Sequence, residues 1–351
     1  MRPKAKLFVV LTGEHPYLPY AELKGILEAC AISAGVELSA PQIAVFDTSD
    51  EILAVETIIS RAAFSRYVAK LITSGSAANL PERPGELTKD AVWPEISGTF
   101  RVMAVRIGGS SREISRAWLE AALAAEILKA NPGLRVDLTN PEHTVLATLS
   151  GGKVFVGLLL GSVDRSKFLS REIPGRPFSH PASMRPKLAR AMVNMGRVRP
   201  GDVMLDPFVG AGGIALEALE IGAFVLGCDI DERMVLGAER NLTHYGFRES
   251  YRLWVCDALN LELDGVVDSI VTDPPYGRAS SSRRVDARKL VLRFTEKSRD
   301  LLKPGGYLTI AAPLEFGLDE YMEEVGYEIV DVVDYREHKR LTRRIAVARL
   351  R

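Results

Sequence analysis

The sequence has few cysteines, no long apolar run and no net charge, and each absence argues against a class of protein. Its three cysteines, Cys30, Cys228 and Cys256, are widely spaced and form no C-x-x-C pair. This spacing argues against a zinc site and a disulfide framework, so we expect three small buried side chains and no bound metal. The apolar run at 7–11 is too short for a signal peptide, and nothing approaches the ~18 apolar residues of a membrane span. We therefore expect a soluble cytoplasmic protein.

The zero net charge conceals an asymmetry along the chain. Hydrophobic residues make up 47% and charged residues 26% of the 351 positions, which is typical of a folded protein with two or three domains. Residues 61–200 contain 21 Lys and Arg against 11 Asp and Glu, and residues 336–351 contain 7 against 1. A polyanion could bind these basic segments, although charges scattered over solvated faces would give the same counts.

The N-terminal half predicts short strands and helices. Residues 1–60 indicate a small α/β subdomain, and 73–97, rich in Gly, Ser and Pro, indicate an irregular connection. Ser111–Leu128 predicts an amphipathic helix. The sequence Ser-Ser-Arg-Glu at 110–113 is its capping signal. Gly151-Gly152, between two alternating runs, predicts a hairpin turn.

The run Val136–Glu142 (VDLTNPE), the paired strands after it and Val156-Gly157-Leu158 resemble a THUMP domain. The resemblance covers about 104–160 and implies an RNA-binding domain over residues 61–162 that binds tRNA. The candidate phosphate contacts of this domain are Arg101, Arg106, Arg112, Arg116, Lys129, Arg135 and Lys153.

A linker at 163–180, rich in Pro, Gly and Arg, precedes strands and helices that alternate in the βαβ manner over 181–351. The fold class is α/β, with a Rossmann-like, mostly parallel seven-stranded sheet whose binding residues lie at the carboxyl ends of the strands. The final stretch 336–351 is expected to place its basic residues on an exposed face. The predicted strands are Asp202–Asp206, Phe224–Asp229, Tyr251–Cys256, Val266–Thr272, Tyr307–Ala312, Tyr327–Asp334 and Arg344–Leu350.

The first of these strands ends in the glycine-rich sequence DPFVGAGG at 206–213. Gly210, Gly212 and Ala215 also match the dinucleotide pattern G-x-G-x-x-G/A, which leaves an NAD site open. Asp206 favours S-adenosylmethionine instead, because a carboxylate repels a diphosphate and attracts the ammonium group of this cofactor.

Further acids follow the next two strands. Asp229 is placed to accept hydrogen bonds from ribose hydroxyls, a role common to both cofactors. Asp257 is placed to accept from an adenine amino group, with helix capping as its alternative. The candidate cofactor-binding residues are His180, Pro181, Asp206, Pro207, Gly210, Gly212, Asp229, Ile230, Asp257 and Ala258.

The hexapeptide DPPYGR at 273–278 follows the fourth strand of this domain. Its two prolines remove N–H donors and fix the backbone, so carbonyl and carboxylate acceptors stand beside an aromatic ring. With the glycine motif and the acids, it resembles the [DN]-P-P-[YF] motif of class I S-adenosylmethionine-dependent amino-methyltransferases. The resemblance implies that Asp273 and the Pro274 carbonyl accept the N–H groups of an exocyclic amine while Tyr276 stacks on the base.

Two neighbouring segments complete this comparison. The segment 178–186 (FSHPASMRP) resembles the part of the family that covers the methionine portion of the cofactor, although His180 could equally be an ordinary loop histidine. Residues 277–286 read either as a loop that closes over RNA through Arg278, Arg283 and Arg284, or as a mobile solvated loop.

Together, the RNA-binding module and the DPPYGR motif resemble the archaeal tRNA (guanine(10)-N2)-dimethyltransferases, which carry the reaction to N2,N2-dimethylguanosine. The acid at Asp273 favours guanosine 10, because relatives that modify guanosine 6 typically carry Asn there. Four alternatives remain: a guanosine-N2 methyltransferase that acts at another tRNA or rRNA position, an adenine-N6 methyltransferase acting on RNA or DNA, an RNA-binding protein with a vestigial catalytic domain, and a dehydrogenase. The expected partner is tRNA and not a membrane; no protein partner is indicated, and a monomer is compatible with the sequence.

Overall fold

The computed structural model describes residues 4–32, 35–78, 80, 84–89, 91, 93, 96–181, 183–276, 281–338 and 341–351. The chain forms two compact units. The first comprises Met1–Tyr20, Ala31–Ser60 and Ser65–Asp164, and the second comprises Ala21–Cys30, Arg61–Phe64 and Arg165–Arg351. Within the described part of the chain, no helix combines the length and apolar character that a membrane span requires.

The first unit is built on an eight-stranded mixed sheet. Its strands lie in the order β2-β3-β1-β4-β8-β7-β5-β6, and β5 is parallel to both of its neighbours. The elements up to residue 162 are β1 (Ala5–Leu11), α1 (Leu18–Ala29), β2 (Val36–Ala40), β3 (Ile43–Thr48), α2 (Glu51–Arg61), β4 (Ser65–Ser76), α3 (Pro84–Thr88), β5 (Thr99–Arg106), α4 (Arg116–Ala130), β6 (Arg135–Val136), β7 (His143–Ser150) and β8 (Lys153–Ser162).

Local predictions in this unit have mixed outcomes. The hairpin at Gly151-Gly152 is confirmed, since both glycines have positive φ and join the antiparallel strands β7 and β8. The predicted start of helix α4 is wrong: the helix begins at Arg116, and Ser115 caps it by accepting a bond from the Trp118 N–H. The connection expected at 73–97 is shorter than predicted, because β4 continues to Ser76 and α3 lies within it.

The second unit confirms the predicted seven-stranded, mostly parallel sheet. The order is β11-β10-β9-β12-β13-β15-β14; the first five strands are parallel, and β15 is antiparallel to both of its neighbours. The remaining elements are α5 (Ser166–Leu169), α6 (Pro186–Met195), β9 (Val203–Asp206), α7 (Gly213–Leu219), β10 (Phe224–Asp229), α8 (Glu232–His244), β11 (Tyr251–Val255), β12 (Val267–Thr272), α9 (Ser281–Leu301), β13 (Leu302–Pro313), α10 (Leu318–Glu324), β14 (Tyr327–His338) and β15 (Leu341–Leu350).

Two short N-terminal segments belong to this second unit because a buried polar cluster holds them there. Glu22 is fully buried and accepts hydrogen bonds from Ala63 N at 2.9 Å, Phe64 N at 2.8 Å and Asn194 Nδ2 at 2.9 Å. Helix α1 approaches α6 at Gly25, where an added β-carbon would overlap the Asn194 carbonyl oxygen. Burial raises the pKa of Glu22, and its three donors offset part of that shift.

A disulfide joins Cys228 and Cys256, with Cα atoms 5.6 Å apart, so the expectation of unpaired cysteines was wrong for this pair. Strands β10 and β11 are parallel neighbours, and Cys228 lies opposite Trp254, two residues before Cys256. Sheet pairing thus brings together two residues 28 positions apart, which spacing in the sequence does not reveal. Cys30 is not disulfide-bonded and is half-buried.

Candidate active site

The site lies where strand order reverses in the second sheet. Strand β9 lies between β10 and β12 in the sheet. Along the chain, β10 follows β9 directly, whereas β12 comes only after β11. All three strands are parallel, so their carboxyl ends meet at one edge and deliver Asp206, Asp229 and Asp273 there. Crevices at such switch points are where open α/β sheets bind their ligands.

The glycine-rich loop after β9 is held in place by Asp229. Its Oδ2 accepts from Gly210 N at 3.0 Å and its Oδ1 accepts from Asp231 N at 3.0 Å. Gly210 and Gly212 have φ of 51° and 77°, values that residues with a β-carbon rarely adopt. A β-carbon at Gly212 would also lie only 3.1 Å from the Ala238 Cβ.

Asp206 ends β9 in a buried position, 1% exposed. Its Oδ1 accepts from Thr272 Oγ1 at 2.7 Å and from Phe208 N at 3.4 Å. Burial raises the pKa of Asp206 to about 7, and the carboxylates of Asp229 and Asp273 add to the shift while the two donors oppose it. Pro207 follows Asp206 directly and stays a candidate for cofactor contact. Thr272, which donates to Asp206, was not identified from the sequence.

The adenine-side candidates lie on two strand ends. Asp257 is exposed and caps the 3-10 turn Ala258–Asn260, accepting from Leu259 N at 3.0 Å and from Asn260 Nδ2 at 2.7 Å. Its side chain therefore has the capping role that was the alternative interpretation, and its contact with adenine stays a prediction. The Ala258 side chain is buried, whereas Ile230 is 75% exposed beside Asp229.

The segment predicted to cover the cofactor begins at Phe178, which is hydrogen-bonded next to the glycine loop. Asn241 Oδ1 accepts from Phe178 N at 2.9 Å, and Asn241 Nδ2 donates to the carbonyls of Phe178 and Ala211, both at 2.9 Å. A β-carbon at Gly237 would overlap the Phe178 ring. Asn241 and Gly237 lie on α8 and were not identified from the sequence, because their partner is about 60 positions away.

Two candidate residues of the covering segment lie near the second strand end. His180 is half-buried and helps to lower the pKa of Asp231, for which the bonds from Arg233 are the main cause. Pro181 is exposed. Both stay candidates for cofactor contact.

Asp273 directly follows β12, with its side chain 13% exposed. Arg343 Nη1 donates to its Oδ2 at 2.5 Å, while its Oδ1 is shielded from solvent and has no hydrogen-bond partner within the described part of the chain. Burial raises the pKa of Asp273 to about 7; Arg343 opposes the shift and Glu337 adds to it. A shielded acceptor without a donor is costly unless a ligand satisfies it.

The other residues of the motif surround this carboxylate. Pro274 is buried and Pro275 is exposed. Tyr276 has its ring centroid 5.6 Å from the Arg343 guanidinium carbon, and no described residue hydrogen-bonds its hydroxyl. Arg343 is buried, so the prediction that the basic residues of 336–351 are exposed was wrong at this position.

The proposed RNA contacts of the first unit fall into two groups. Arg101 and Arg106 are half-buried and bonded within the unit: Arg101 donates to Thr144 Oγ1 and Arg106 to the Ile114 carbonyl. The exposed members are Arg112, Arg116, Lys129, Arg135 and Lys153.

Two of the exposed side chains have partners of their own. Lys129 pairs with Glu126 at 2.7 Å, and Lys153 donates to the Ser39 carbonyl at 3.1 Å. Arg278 lies outside the described residues, as do the side chains of Arg283 and Arg284.

Two known protein domains match parts of this chain. Residues 174–343 match the RMKL-like methyltransferase domain, and residues 85–159 match the THUMP domain. The crystal structure of TrmN from Thermus thermophilus superposes with a TM-score of 0.53 at 24% identity, covering 99% of this chain and 100% of that one. The fold and the domain matches define a THUMP-containing class I methyltransferase.

Two relatives, aligned over nearly their whole length, show which family within this class the chain belongs to. A tRNA (guanine(10)-N2)-dimethyltransferase from Methanothermobacter thermautotrophicus is 35% identical over 97% of this chain and 98% of its own. A protein of the same name from Methanocaldococcus jannaschii is 32% identical over 90% of this chain and 93% of its own. The chain belongs to the tRNA (guanine(10)-N2)-dimethyltransferase family.

Proposed function

We propose that this protein transfers methyl groups from S-adenosylmethionine to the exocyclic N2 of guanosine 10 in tRNA, giving N2-methylguanosine and then N2,N2-dimethylguanosine. The observation that carries the proposal is the carboxylate of Asp273: Arg343 binds one oxygen, and the other has no partner among the residues that the structure describes. This free acceptor follows β12, the neighbour of the strand that leads into the glycine loop. The names of the two archaeal relatives support both the target base and its position.

The residues at the strand ends fit the methyl donor. S-adenosylmethionine supplies an electrophilic methyl group on a positively charged sulfur. Among the described residues, each oxygen of Asp229 accepts a single backbone N–H, which leaves lone pairs for ribose hydroxyls, and Ile230 exposes an apolar side chain against which adenine can pack. Asp206 is the carboxylate for the ammonium group. The remaining proposed contacts are His180, Pro181, Pro207, Gly210, Gly212, Asp257 and Ala258.

The guanine amine is a weak nucleophile because its lone pair is delocalised into the ring. The acceptors at the end of β12 counteract this delocalisation. Asp273 Oδ1 and the Pro274 carbonyl each accept one N–H, which turns the lone pair toward the incoming methyl group. As the N–C bond forms, the S–C bond breaks and sulfur keeps the bonding pair. The amine proton then leaves to Asp273 or to water. Tyr276 stacks on the base, which has to leave its helix to reach the site.

We assign tRNA binding to the THUMP domain within 61–162 and catalysis to 181–351, with 163–180 as the connection. The exposed basic side chains of the first unit are the phosphate contacts, and a polyanion would be attracted to them at low salt. We place this activity in the cytoplasm, with tRNA as the partner.

The test is methylation of an unmodified tRNA transcript with labelled S-adenosylmethionine, followed by nuclease mapping and mass spectrometry of the nucleosides. We expect label at guanosine 10 as N2-methyl- and N2,N2-dimethylguanosine, and none in a transcript with adenosine at that position. Asp273→Ala should lose the activity, and Asp273→Asn should lose most of it, because a single amide oxygen cannot serve both Arg343 and the substrate amine.

Two outcomes would contradict the proposal. Label on adenine N6 would identify the adenine methyltransferase alternative. Binding of tRNA without calorimetric binding of S-adenosylmethionine would identify an RNA-binding protein with a vestigial catalytic domain.

A further inference from the structure

The C-terminal hairpin of β14 and β15 supplies charged side chains to the Asp273 site. Arg343 on β15 is buried, and its guanidinium donates to Asp273 Oδ2 and lies over the Tyr276 ring. Glu337 on β14 lies with Oε2 3.4 Å from Arg343 Nε, and its side chain is 29% exposed. The hairpin thus contacts two members of the DPPY motif through one side chain.

The charges around Asp273 come from several elements. Arg343 on β15 favours its ionised form, and Glu337 on β14 disfavours it. Asp206, at the end of β9, is a second carboxylate that interacts electrostatically with Asp273. Tyr276 is the titratable group on the segment of Asp273 itself. Arg343 is the positive group in this set, and Glu337 partly neutralises its effect because it lies against the same guanidinium.

The geometry of Arg343 also fixes the direction of the carboxylate. Its bond to Oδ2 leaves Oδ1 as the oxygen that no described residue contacts by a hydrogen bond. Because the same guanidinium lies over Tyr276, it restrains the acceptor and the aromatic ring relative to each other. Lysine would keep the charge but would lack the planar surface for the ring.

We propose that Arg343 and Glu337 form a positioning pair, in which Arg343 binds one oxygen of Asp273 and directs the other toward the substrate amine, while Glu337 lies against the same guanidinium and weakens its interaction with Asp273. This inference rests on the proposed function, since it concerns the same carboxylate. Neither residue needs to touch the substrate or the methyl donor. Both act through Asp273, and Arg343 acts also through Tyr276.

The experiment compares the pH dependence of single-turnover tRNA methylation for the wild type, Arg343→Gln, Arg343→Lys and Glu337→Gln. Below the pKa of Asp273 the rate should fall in proportion to the ionised carboxylate, so at a fixed acidic pH a tenfold larger acid dissociation constant gives an about tenfold faster reaction. Arg343→Gln should move the acid limb to higher pH, and Glu337→Gln should move it to lower pH. Arg343→Lys should return the limb toward the wild-type position while the maximal rate stays below that of the wild type.

Arg344→Gln is the matched control on the same strand. Arg344 is adjacent to Arg343, so its side chain points to the opposite face of the sheet, where it pairs with Asp319 at 3.0 Å and Asp334 at 2.7 Å. Its loss removes one positive charge from β15 without touching Asp273, and the acid limb should stay in place. If Arg344→Gln moved the limb as far as Arg343→Gln, a general loss of charge would explain the result and the inference would be overturned.

A second readout needs neither tRNA nor methyl transfer. Titration of the Asp273 carboxyl carbon by NMR in protein with labelled aspartate, assigned with Asp273→Asn, should show a lower pKa in Glu337→Gln than in the wild type. Glu337→Gln leaves the Arg343–Asp273 contact intact, so it keeps the test decisive even if Arg343→Gln does not fold. An unchanged pKa in Glu337→Gln overturns the inference, whereas label at another nucleotide overturns the proposed function alone.

Discussion

Replacement of Asp229 by asparagine tests how the strand end of β10 organises the donor site. The two Asp229 oxygens accept one backbone N–H each, from Gly210 and Asp231, both at 3.0 Å. An asparagine keeps one acceptor and turns an NH2 group toward the other donor. The change therefore removes one charge-assisted hydrogen bond and places the new NH2 group against a backbone N–H donor. It also weakens the acceptor proposed for the ribose.

The magnitude follows from the bonds that the ribose hydroxyls would make to this charged acceptor. Hydrogen bonds to a charged acceptor contribute about 1.5–3 kcal/mol each, and every 1.4 kcal/mol is a factor of about ten in affinity. Asp229→Asn should therefore weaken S-adenosylmethionine binding roughly 10- to 150-fold. The global fold should persist, because Asp229 is only half-buried at the edge of the sheet.

Calorimetric titration with S-adenosylmethionine measures this loss, with far-ultraviolet circular dichroism as the check on folding. Asp231→Asn is the control: it removes a nearby negative charge, but asparagine caps helix α8 about as well as aspartate does. Its affinity should stay within about threefold of the wild type. A folded Asp229→Asn protein with wild-type affinity would refute the role assigned to this carboxylate.

Three further outcomes are expected. Reduction of the Cys228–Cys256 disulfide opens a loop of 28 residues and should lower the free energy of unfolding by about 3–4 kcal/mol. Equal urea midpoints with and without reductant would contradict this expectation. Glu22→Ala leaves the backbone N–H groups of Ala63 and Phe64 without their acceptor, and Asn194 Nδ2 keeps only its bond to the Arg61 carbonyl. The change should cost roughly 3 kcal/mol or more by chemical denaturation; Glu22→Gln, which keeps one acceptor, should cost less. Burial raises the pKa of Asp206 to about 7, so this carboxylate is increasingly protonated as pH falls below 7, and calorimetric affinity for the cationic donor should be weaker at pH 6 than at pH 8. An affinity independent of pH would argue against pairing between Asp206 and the ammonium group.

The sequence predicted strand β10 with the bounds that the structure shows, and the other central strands within a few residues. Buried parallel strands appear as apolar, β-branched runs that end at polar residues, so a motif directly after a strand is located together with it. Asp206, Asp229 and Asp273 could be placed on one sheet edge for that reason. The start of helix α4 was misplaced because Ser111 and Ser115 are both suitable caps, and only the backbone shows which one is used.

By itself the sequence determined the alternation of strands and helices, the acids and glycines at the strand ends, and the resemblance to a family that modifies guanine in tRNA. Only the tertiary structure decided what each carboxylate contacts. Arg343 reaches Asp273 across 70 positions, Cys256 reaches Cys228 across 28, and Asn194 reaches Glu22 across 172. Local patterns report the periodicity and backbone preferences of nearby residues. Contacts between distant segments depend instead on the register and order of strands in the folded sheet.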